Sequence, residues 1–344
     1  MNKWAIGFIL CFVFLSIHFV YAQKNDLGSA ALVIESNFIK IKQTSGFSDL
    51  QTEKRVTEHT NFRMASVSKQ FTAACIIILK NSGKLNYDDH LSKFFPDFKT
   101  GNKITIKHLL THSSGLIDYE NLIPENQKEQ ISDADVLNWV GKVDSLFFEP
   151  GTNFRYSNGG FCILSKIVEK VSGQTFSEFM AENIFKPLKM NNSYLFENGS
   201  SMPNRAMGYA KNESGEIIFS DQSITSATKG DGCVYTNLAD YHKWLSALTE
   251  KQLFEIQKEK QEVNFSIPSQ AGLSYGLGWF NILGKELYHT GSTCGFSNVV
   301  WLTLDGKNAV VYFSNLADNH AQAYPYFTTF KPLFNLEKVL RLTN

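Results

Sequence analysis

Strand patterns stand at both ends of this chain and helix patterns fill the space between, so the two ends must meet in one sheet that carries the middle as an insertion. Ala31 to Glu35 and Phe38 to Lys42 are short β-favouring runs separated by Ser36-Asn37, a hairpin signal. Near the other end, Val299 to Leu304 and Ala309 to Ser314 flank Asp305-Gly306, a pair that accepts the positive φ a tight hairpin turn demands. Between them Val67, Phe71, Ala74, Cys75 and Ile78 recur at helical spacing, and Gly83 is placed to stop that helix. Ser132 with Asp135, Thr175 with Glu178 and Asn237 with Asp240 each set a capping side chain three residues before an acid. The pattern predicts an antiparallel sheet domain from residues 23–60 and 268–344, and a mostly helical domain inserted over 61–267. The polar stretch Glu250 to Val263 reads as a solvated connection.

Composition narrows the function. With 344 residues, 43% of them hydrophobic, the chain buries a sizeable core. Its 33 basic and 33 acidic side chains cancel, which leaves no electrostatic footprint for nucleic acid or an anionic membrane. Lys3 precedes an apolar run from Trp4 to Val20, and Val20-Tyr21-Ala22 supplies the small or tolerated residues that a signal peptidase reads. This predicts cleavage near Ala22, a mature chain from Gln23 in a secreted or periplasmic setting, and no membrane span after cleavage. Export removes cytosolic ATP and reducing power, so phosphoryl-transfer and nicotinamide chemistries lose ground. Cys75, Cys162, Cys233 and Cys294 remain in the mature chain, and their spacings suggest neither a disulfide framework nor structural zinc.

Three short motifs can carry chemistry. Ser66-Val67-Ser68-Lys69 opens the first long helix, and i to i+3 spacing puts the Ser66 hydroxyl and Lys69 ammonium on one face. A serine is a poor nucleophile until a base takes its proton, and a partly desolvated lysine can do so. Backbone N–H groups at the helix start can hold a developing oxyanion. Ser226-Ala227-Thr228-Lys229 matches the same pattern but runs into Gly230-Asp231-Gly232 with no helical period after it. Tyr156-Ser157-Asn158 follows Pro150-Gly151 and precedes a helix from about 159 to 171, so Asn158 can bond Lys69 or a substrate amide while Tyr156 moves a proton. Tyr119-Glu120-Asn121 has the same spacing in a loop without that support. His289-Thr290-Gly291 lies on a strand edge whose glycine lets a substrate backbone approach. There Thr290 can bond a substrate carboxylate, His289 can supply a tunable positive charge, and the Ser292 N–H can face that of Ser66 across an oxyanion. Lys99-Thr100-Gly101 competes for this role but has no sheet edge behind it.

In that order, the three motifs resemble the class C β-lactamase and D-alanyl-D-alanine carboxypeptidase family of serine hydrolases. Neighbouring segments match too, among them Leu109-Leu110-Thr111-His112-Ser113-Ser114-Gly115-Leu116, Pro187-Leu188 and Tyr275-Gly276-Leu277-Gly278-Trp279. The resemblance implies an α/β (α+β) fold of the β-lactamase/transpeptidase type, a five-stranded antiparallel sheet packed against the inserted helical domain. It implies that Ser66 forms an acyl-enzyme, Lys69 and Tyr156 shuttle protons, and Asn158, His289, Thr290 and Gly291 bind substrate. The backbone N–H groups of Ser66 and Ser292 would form the oxyanion hole, and no metal or organic cofactor is implied.

Departures from the family pattern shape the expectation of function. β-Lactamases of this family usually carry Lys where this chain has His289, which favours the peptidase, aminopeptidase and other hydrolase branches. Pro325 and Pro332 interrupt the apolar run Tyr324 to Phe334, so the tail after Leu316 is no long helix, and the tail or a second subunit is expected to shield one sheet face. His108 and His112 are four apart, but Leu109 replaces the Glu of a zinc protease helix. Gly272-Leu273-Ser274-Tyr275-Gly276 spells a nucleophile elbow without the helix that must follow it. The expectation is an exported serine hydrolase acting on a small peptide, ester or β-lactam, with a D-amino-acid or peptidoglycan-like peptide leading. A carboxypeptidase or aminopeptidase comes first, an esterase or β-lactamase next, and a non-catalytic peptidoglycan- or β-lactam-binding protein is the rival of another class.

Overall fold

Ser36 and Asn37 adopt left-handed backbone angles, φ 51° and 69°, and turn β1 (Ser29–Glu35) into β2 (Phe38–Ser45). The computed structural model describes residues 26–199, 202–328, 330 and 332. The expected signal segment, residues 1–22, lies outside them.

The two ends of the chain pair directly. The return half of the sheet comprises β3 (Phe265–Ser266), β4 (Leu273–Gly276), β5 (Trp279–Ile282), β6 (Glu286–Thr293), β7 (Phe296–Thr303) and β8 (Ala309–Ser314). β8 runs antiparallel to β1, with Ser29 opposite Ser314 and Ile34 opposite Ala309. The order is β3-β4-β5-β6-β7-β8-β1-β2, so the sheet has eight strands where five were expected. The additional strands are two to four residues long and are punctuated by Gly272, Gly276 and Gly278, too short for an alternating pattern to register. Because β3 begins at Phe265, the sheet also reaches three residues ahead of residue 268.

Successive residues of β8 show how the sheet is covered. Phe313 meets Tyr241 edge-on with ring centroids 5.4 Å apart, whereas Tyr312 meets Tyr326 of the tail at 5.9 Å. Neighbours on a strand point to opposite faces, so the helical region covers one face and the tail the other. That tail is a 3-10 segment, His320–Phe327, and Phe327 and Phe330 pack on Trp301 at 5.9 and 5.2 Å. The expected shielding of this face is supplied here by the tail itself.

The helical region is built around α1 (Lys69–Asn81), which continues a 3-10 turn at Ala65–Ser68. Phe71, Ala73, Ala74, Cys75, Ile76 and Ile77 are all buried, so α1 is enclosed on every side rather than amphipathic. Each large apolar side chain so buried contributes roughly 1.5–3 kcal/mol. Around it lie α2 (Ile106–Leu110), α3 (Asp133–Gly141), α4 (Asn158–Ser172), α5 (Phe176–Met180), α6 (Leu238–Thr249) and α7 (Ile256–Glu262). Ser132 and Thr175 form full capping boxes with Asp135 and Glu178, and Asn237 caps α6 by accepting from the Asp240 N–H. The stretch expected to be a solvated connection contains α7, with Ile256, Glu259 and Lys260 buried. Glu259 goes inside because Tyr87 Oη and Lys80 Nζ satisfy its carboxylate at 2.6 and 3.1 Å. Among the described residues no helix is long and apolar enough to cross a membrane.

Candidate active site

Lys69 is a fully buried lysine whose ammonium contacts three acceptors, and those contacts gather the site. Nζ lies 3.1 Å from Ser66 Oγ, 2.9 Å from Asn158 Oδ1 and 2.9 Å from the carbonyl oxygen of Asp231. The one-turn spacing from the 3-10 turn into α1 brings Ser66 and Lys69 together, as the motif predicts. Asn158 is the first residue of α4, capped by Ser157 Oγ, which accepts from the Gly160 N–H at 3.2 Å. The aromatic rings of Tyr156 and Phe161 lie 5.0 and 5.7 Å from the ammonium. Tyr156 Oη is buried and has no hydrogen bond to a described residue.

Loop 222–232 closes the third side. Arg63 is buried and donates to Gly232 O at 3.3 Å, Gln222 Oε1 at 3.0 Å and Ser226 O at 2.8 Å. Asp133 accepts from the backbone N–H groups of Lys229 and Gly230 at 2.9 and 3.1 Å, and Thr72 Oγ1 donates to Gly230 O at 2.6 Å. Arg63, Asp133 and Thr72 therefore fix the loop that offers the Asp231 carbonyl to Lys69.

β6 supplies the opposite wall. Gly291 packs against the segment before Ser66, where a Cβ would lie 2.2 Å from the Met64 carbonyl oxygen. Ser292 and Ser66 then line one cleft of about 170 Å³ together with Glu120, Asn158, Asp231 and Thr293. A larger groove of about 480 Å³, bordered by Gln257, Lys285 and Thr303, lies at the far end of the sheet and contains none of the three motifs.

His289 and Thr290 sit differently from the expectation. His289 is buried, its Nδ1–H donates to the Thr290 carbonyl at 2.5 Å and its Nε2 accepts from Tyr275 Oη at 3.1 Å. Burial, with the Lys69 charge nearby, pushes its pKa down to about 3, so the imidazole is neutral at neutral pH. Strand alternation puts Thr290 on the face away from His289 and Gly291, and its side chain is buried there. Neither side chain lines the cleft.

The structure also locates residues that motif reading set aside. Tyr119 and Glu120 both line the Ser66 cleft, and Asn158 Nδ2 donates to Glu120 Oε1 at 3.1 Å. The signal was the Tyr-x-Asn spacing, which hid the residue between. His112 packs with tilted rings against Tyr156 and Tyr275, centroids 4.2 and 4.4 Å apart, and accepts the Ser157 N–H on Nδ1. Burial, then the charge of Lys69, holds its pKa well below the ordinary imidazole value. His108 instead accepts the Thr105 N–H in a capping box, so the two histidines do not share a ligand site.

Two serine matches fall away on geometry. Ser226 Oγ accepts the Ser223 N–H at 2.8 Å, while Lys229 Nζ reaches Glu197 at 2.5 Å. Ser274 lies inside β4, paired with Asn281. Asp133, Cys162 and Asp231 bring three ligand-type atoms within 4.8 Å of one another, but two backbone N–H groups already engage the Asp133 carboxylate. Cys75, Cys162, Cys233 and Cys294 are free thiols.

The family model described as Beta-lactamase matches residues 20–326. Penicillin-binding protein 4* of Bacillus subtilis (strain 168) is 28% identical over 317 residues, which span 85% of this chain and 69% of that protein. The crystal structure of a penicillin binding protein from Bacillus halodurans superposes with a TM-score of 0.77 at 26% identity, covering 92% of this chain and 98% of that one. A D-amino acid amidase from Ochrobactrum anthropi SV3, solved with L-phenylalanine amide, gives a TM-score of 0.72 at 20% identity over 86% and 88% of the two chains. At that identity the amidase shares the fold.

Proposed function

This chain belongs to the Beta-lactamase family, whose members here are penicillin-binding-protein-like serine hydrolases, and on that premise we propose that it is itself a hydrolase that forms an acyl-enzyme on Ser66. The proposed machinery is Ser66, Lys69 and Tyr156, with Asn158 orienting substrate and the N–H groups of Ser66 and Ser292 as the oxyanion hole. The single observation that carries the reading is the 3.1 Å contact between the buried Lys69 Nζ and Ser66 Oγ at the floor of the cleft, with Asn158 Oδ1 and the Asp231 carbonyl as the other acceptors.

In the reaction Lys69, once it has given up a proton, takes the Ser66 proton as Oγ attacks the substrate carbonyl. The tetrahedral oxyanion accepts from the two backbone N–H groups. Tyr156 relays the proton to the leaving nitrogen or oxygen, the carbonyl bond to that atom breaks, and an acyl-enzyme remains. Water then attacks the ester and returns its proton along the same groups. No metal is required by this sequence of steps.

The substrate class is an amide or ester of a D-amino acid or a peptidoglycan-like peptide, handled outside the cytoplasm after removal of residues 1–22. The name of the amidase neighbour, and His289 standing where β-lactamases of this family usually carry Lys, support an open-chain substrate over a β-lactam. In this reading the sheet edge that carries Ser292 and the helical region that carries Ser66 and Asn158 are the two walls of the proposed site. Ser66→Ala tests the reading against an ester and amide panel. Turnover is expected to vanish in Ser66→Ala and persist in Ser226→Ala and Ser274→Ala, and full activity in Ser66→Ala would refute the assignment.

A further inference from the structure

Tyr156 has to keep its hydroxyl at the leaving group of the substrate, yet Oη is buried without a hydrogen bond to a described residue. Its place is therefore set by its backbone and by the rings around it, and both lead to His112. The His112 carbonyl accepts the Arg155 N–H at 2.9 Å and its Nδ1 accepts the Ser157 N–H at 3.1 Å, so the residues on either side of Tyr156 are tied to one partner. The His112 ring also packs on the Tyr156 ring, centroids 4.2 Å apart. His112 makes all three contacts from a left-handed backbone, φ 55°, which a residue other than glycine adopts at a cost.

Packing alone does not account for an imidazole at this position. With Nδ1 accepting, the ring proton sits on Nε2, and the buried Nε2 has no partner among the described residues. A phenyl ring would fill the same space without that unmatched donor. What the imidazole adds is the acceptor at Nδ1, and it stays an acceptor because burial, then the Lys69 charge, holds the ring neutral.

We propose that His112 is a positioning residue of the Ser66 reaction, clamping Tyr156 from both flanks of the chain and so aiming its Oη at the leaving group. The proposal rests on the reading of Ser66 as nucleophile and Tyr156 as proton relay. Asn158 has anchors of its own in Lys69 and Glu120, so release of the clamp falls on Tyr156 first. A leaving group that needs a proton then suffers more than one that departs as a stable anion.

The test compares D-phenylalaninamide with the p-nitrophenyl ester of D-phenylalanine, which carry the same acyl group, in the full chain, in His112→Phe and in His112→Asn. Phenylalanine keeps a ring and removes the acceptor. Asparagine keeps an acceptor close to the Nδ1 position, tolerates the left-handed backbone and removes the ring. In His112→Phe, kcat/KM is expected to fall about 10²-fold for the amide and less than about threefold for the ester, and His112→Asn to recover at least about tenfold of the amide loss. Equal losses on both compounds, an unchanged amide rate in His112→Phe, or a greater amide loss in His112→Asn than in His112→Phe overturns the proposal. A second measurement depends neither on turnover nor on the folding of the phenylalanine variant. Nitrogen-15 NMR of the histidine-labelled full chain is expected to show His112 protonated on Nε2 alone and unchanged between about pH 8 and 5. Protonation on Nδ1, or titration within that range, overturns the proposal. Failure of the ester to acylate Ser66 in the parent, read by peptide mapping, instead overturns the nucleophile assignment.

Discussion

Gly291 of β6 packs directly on the carbonyl oxygen of Met64, so close that a Cβ there would lie 2.2 Å from it. This contact sets the sheet edge that carries Ser292 against the turn that carries Ser66, and hence the width of the proposed oxyanion hole.

Gly291→Ala is therefore expected to push the two walls apart. Overpacking of this kind costs about 1–3 kcal/mol, and the larger effect is expected on kcat, since about 1 Å of displacement misaligns both N–H donors. Thermal melts beside ester kinetics check this, and an alanine variant with unchanged kcat would contradict the role given to this contact.

Lys69→Met removes the proposed base and leaves Asn158 Oδ1 and the Asp231 carbonyl without their donor. Loss of the proton-transfer role lowers kcat by about 10²–10⁴-fold. Pre-steady-state acylation is the measurement to make, because the account places the loss in formation of the acyl-enzyme.

Acid should destabilise the fold through its buried imidazoles. The folded-state pKa of His289 is pushed down to about 3, and that of His112 is also well below 6.5. The unfolded chain thus binds protons that the folded one refuses. The contribution is fully present above about pH 6.5 and is lost as pH falls from there towards 3, at up to about 1.4 kcal/mol per pH unit for each group. Urea melts between pH 7 and 4.5 should show this slope, and His289→Asn should flatten it.

Arg63→Met strips the donors from Gly232 O and Ser226 O in loop 222–232. Gly232 O left unpaired costs about 1–3 kcal/mol, Ser226 O keeps only the weak Cys233 thiol donor at 3.4 Å, and the loop also releases its hold on the Asp231 carbonyl. Hydrogen exchange should show faster opening at residues 229–232, and activity should fall before global stability does.

Much of the fold was legible because its signals are local. The turns at Ser36-Asn37 and Asp305-Gly306, the caps at Ser132, Thr175 and Asn237, and the start of α4 near Asn158 each depend on a few neighbouring side chains. Strands β3 to β5 were harder, since two to four residues hold too little alternation and are recruited by their neighbours in the sheet. The burial of Glu259 was invisible because it depends on Lys80 and Tyr87, far away in the chain.

The site divides in the same way. Ser66 with Lys69, and Tyr156 with Asn158, carry their geometry in a fixed local spacing. The neutral state of His289 follows from the depth of β6 and from the Lys69 charge beside it, which no motif encodes. Glu120 sat inside a motif set aside for lacking a Pro-Gly turn and a following helix, and residues 119–122 are instead a 3-10 turn anchored by the buried Tyr119. Spacing finds the groups that act as a unit; only the packed chain shows which others face them.

The most direct test of the account is intact mass with peptide mapping after brief exposure of the full chain to a fluorophosphonate. The account predicts a single adduct on Ser66 that is absent from Ser66→Ala and strongly reduced in Lys69→Met. An adduct on Ser226, Ser274 or another residue, or labelling that persists in Ser66→Ala, would contradict it.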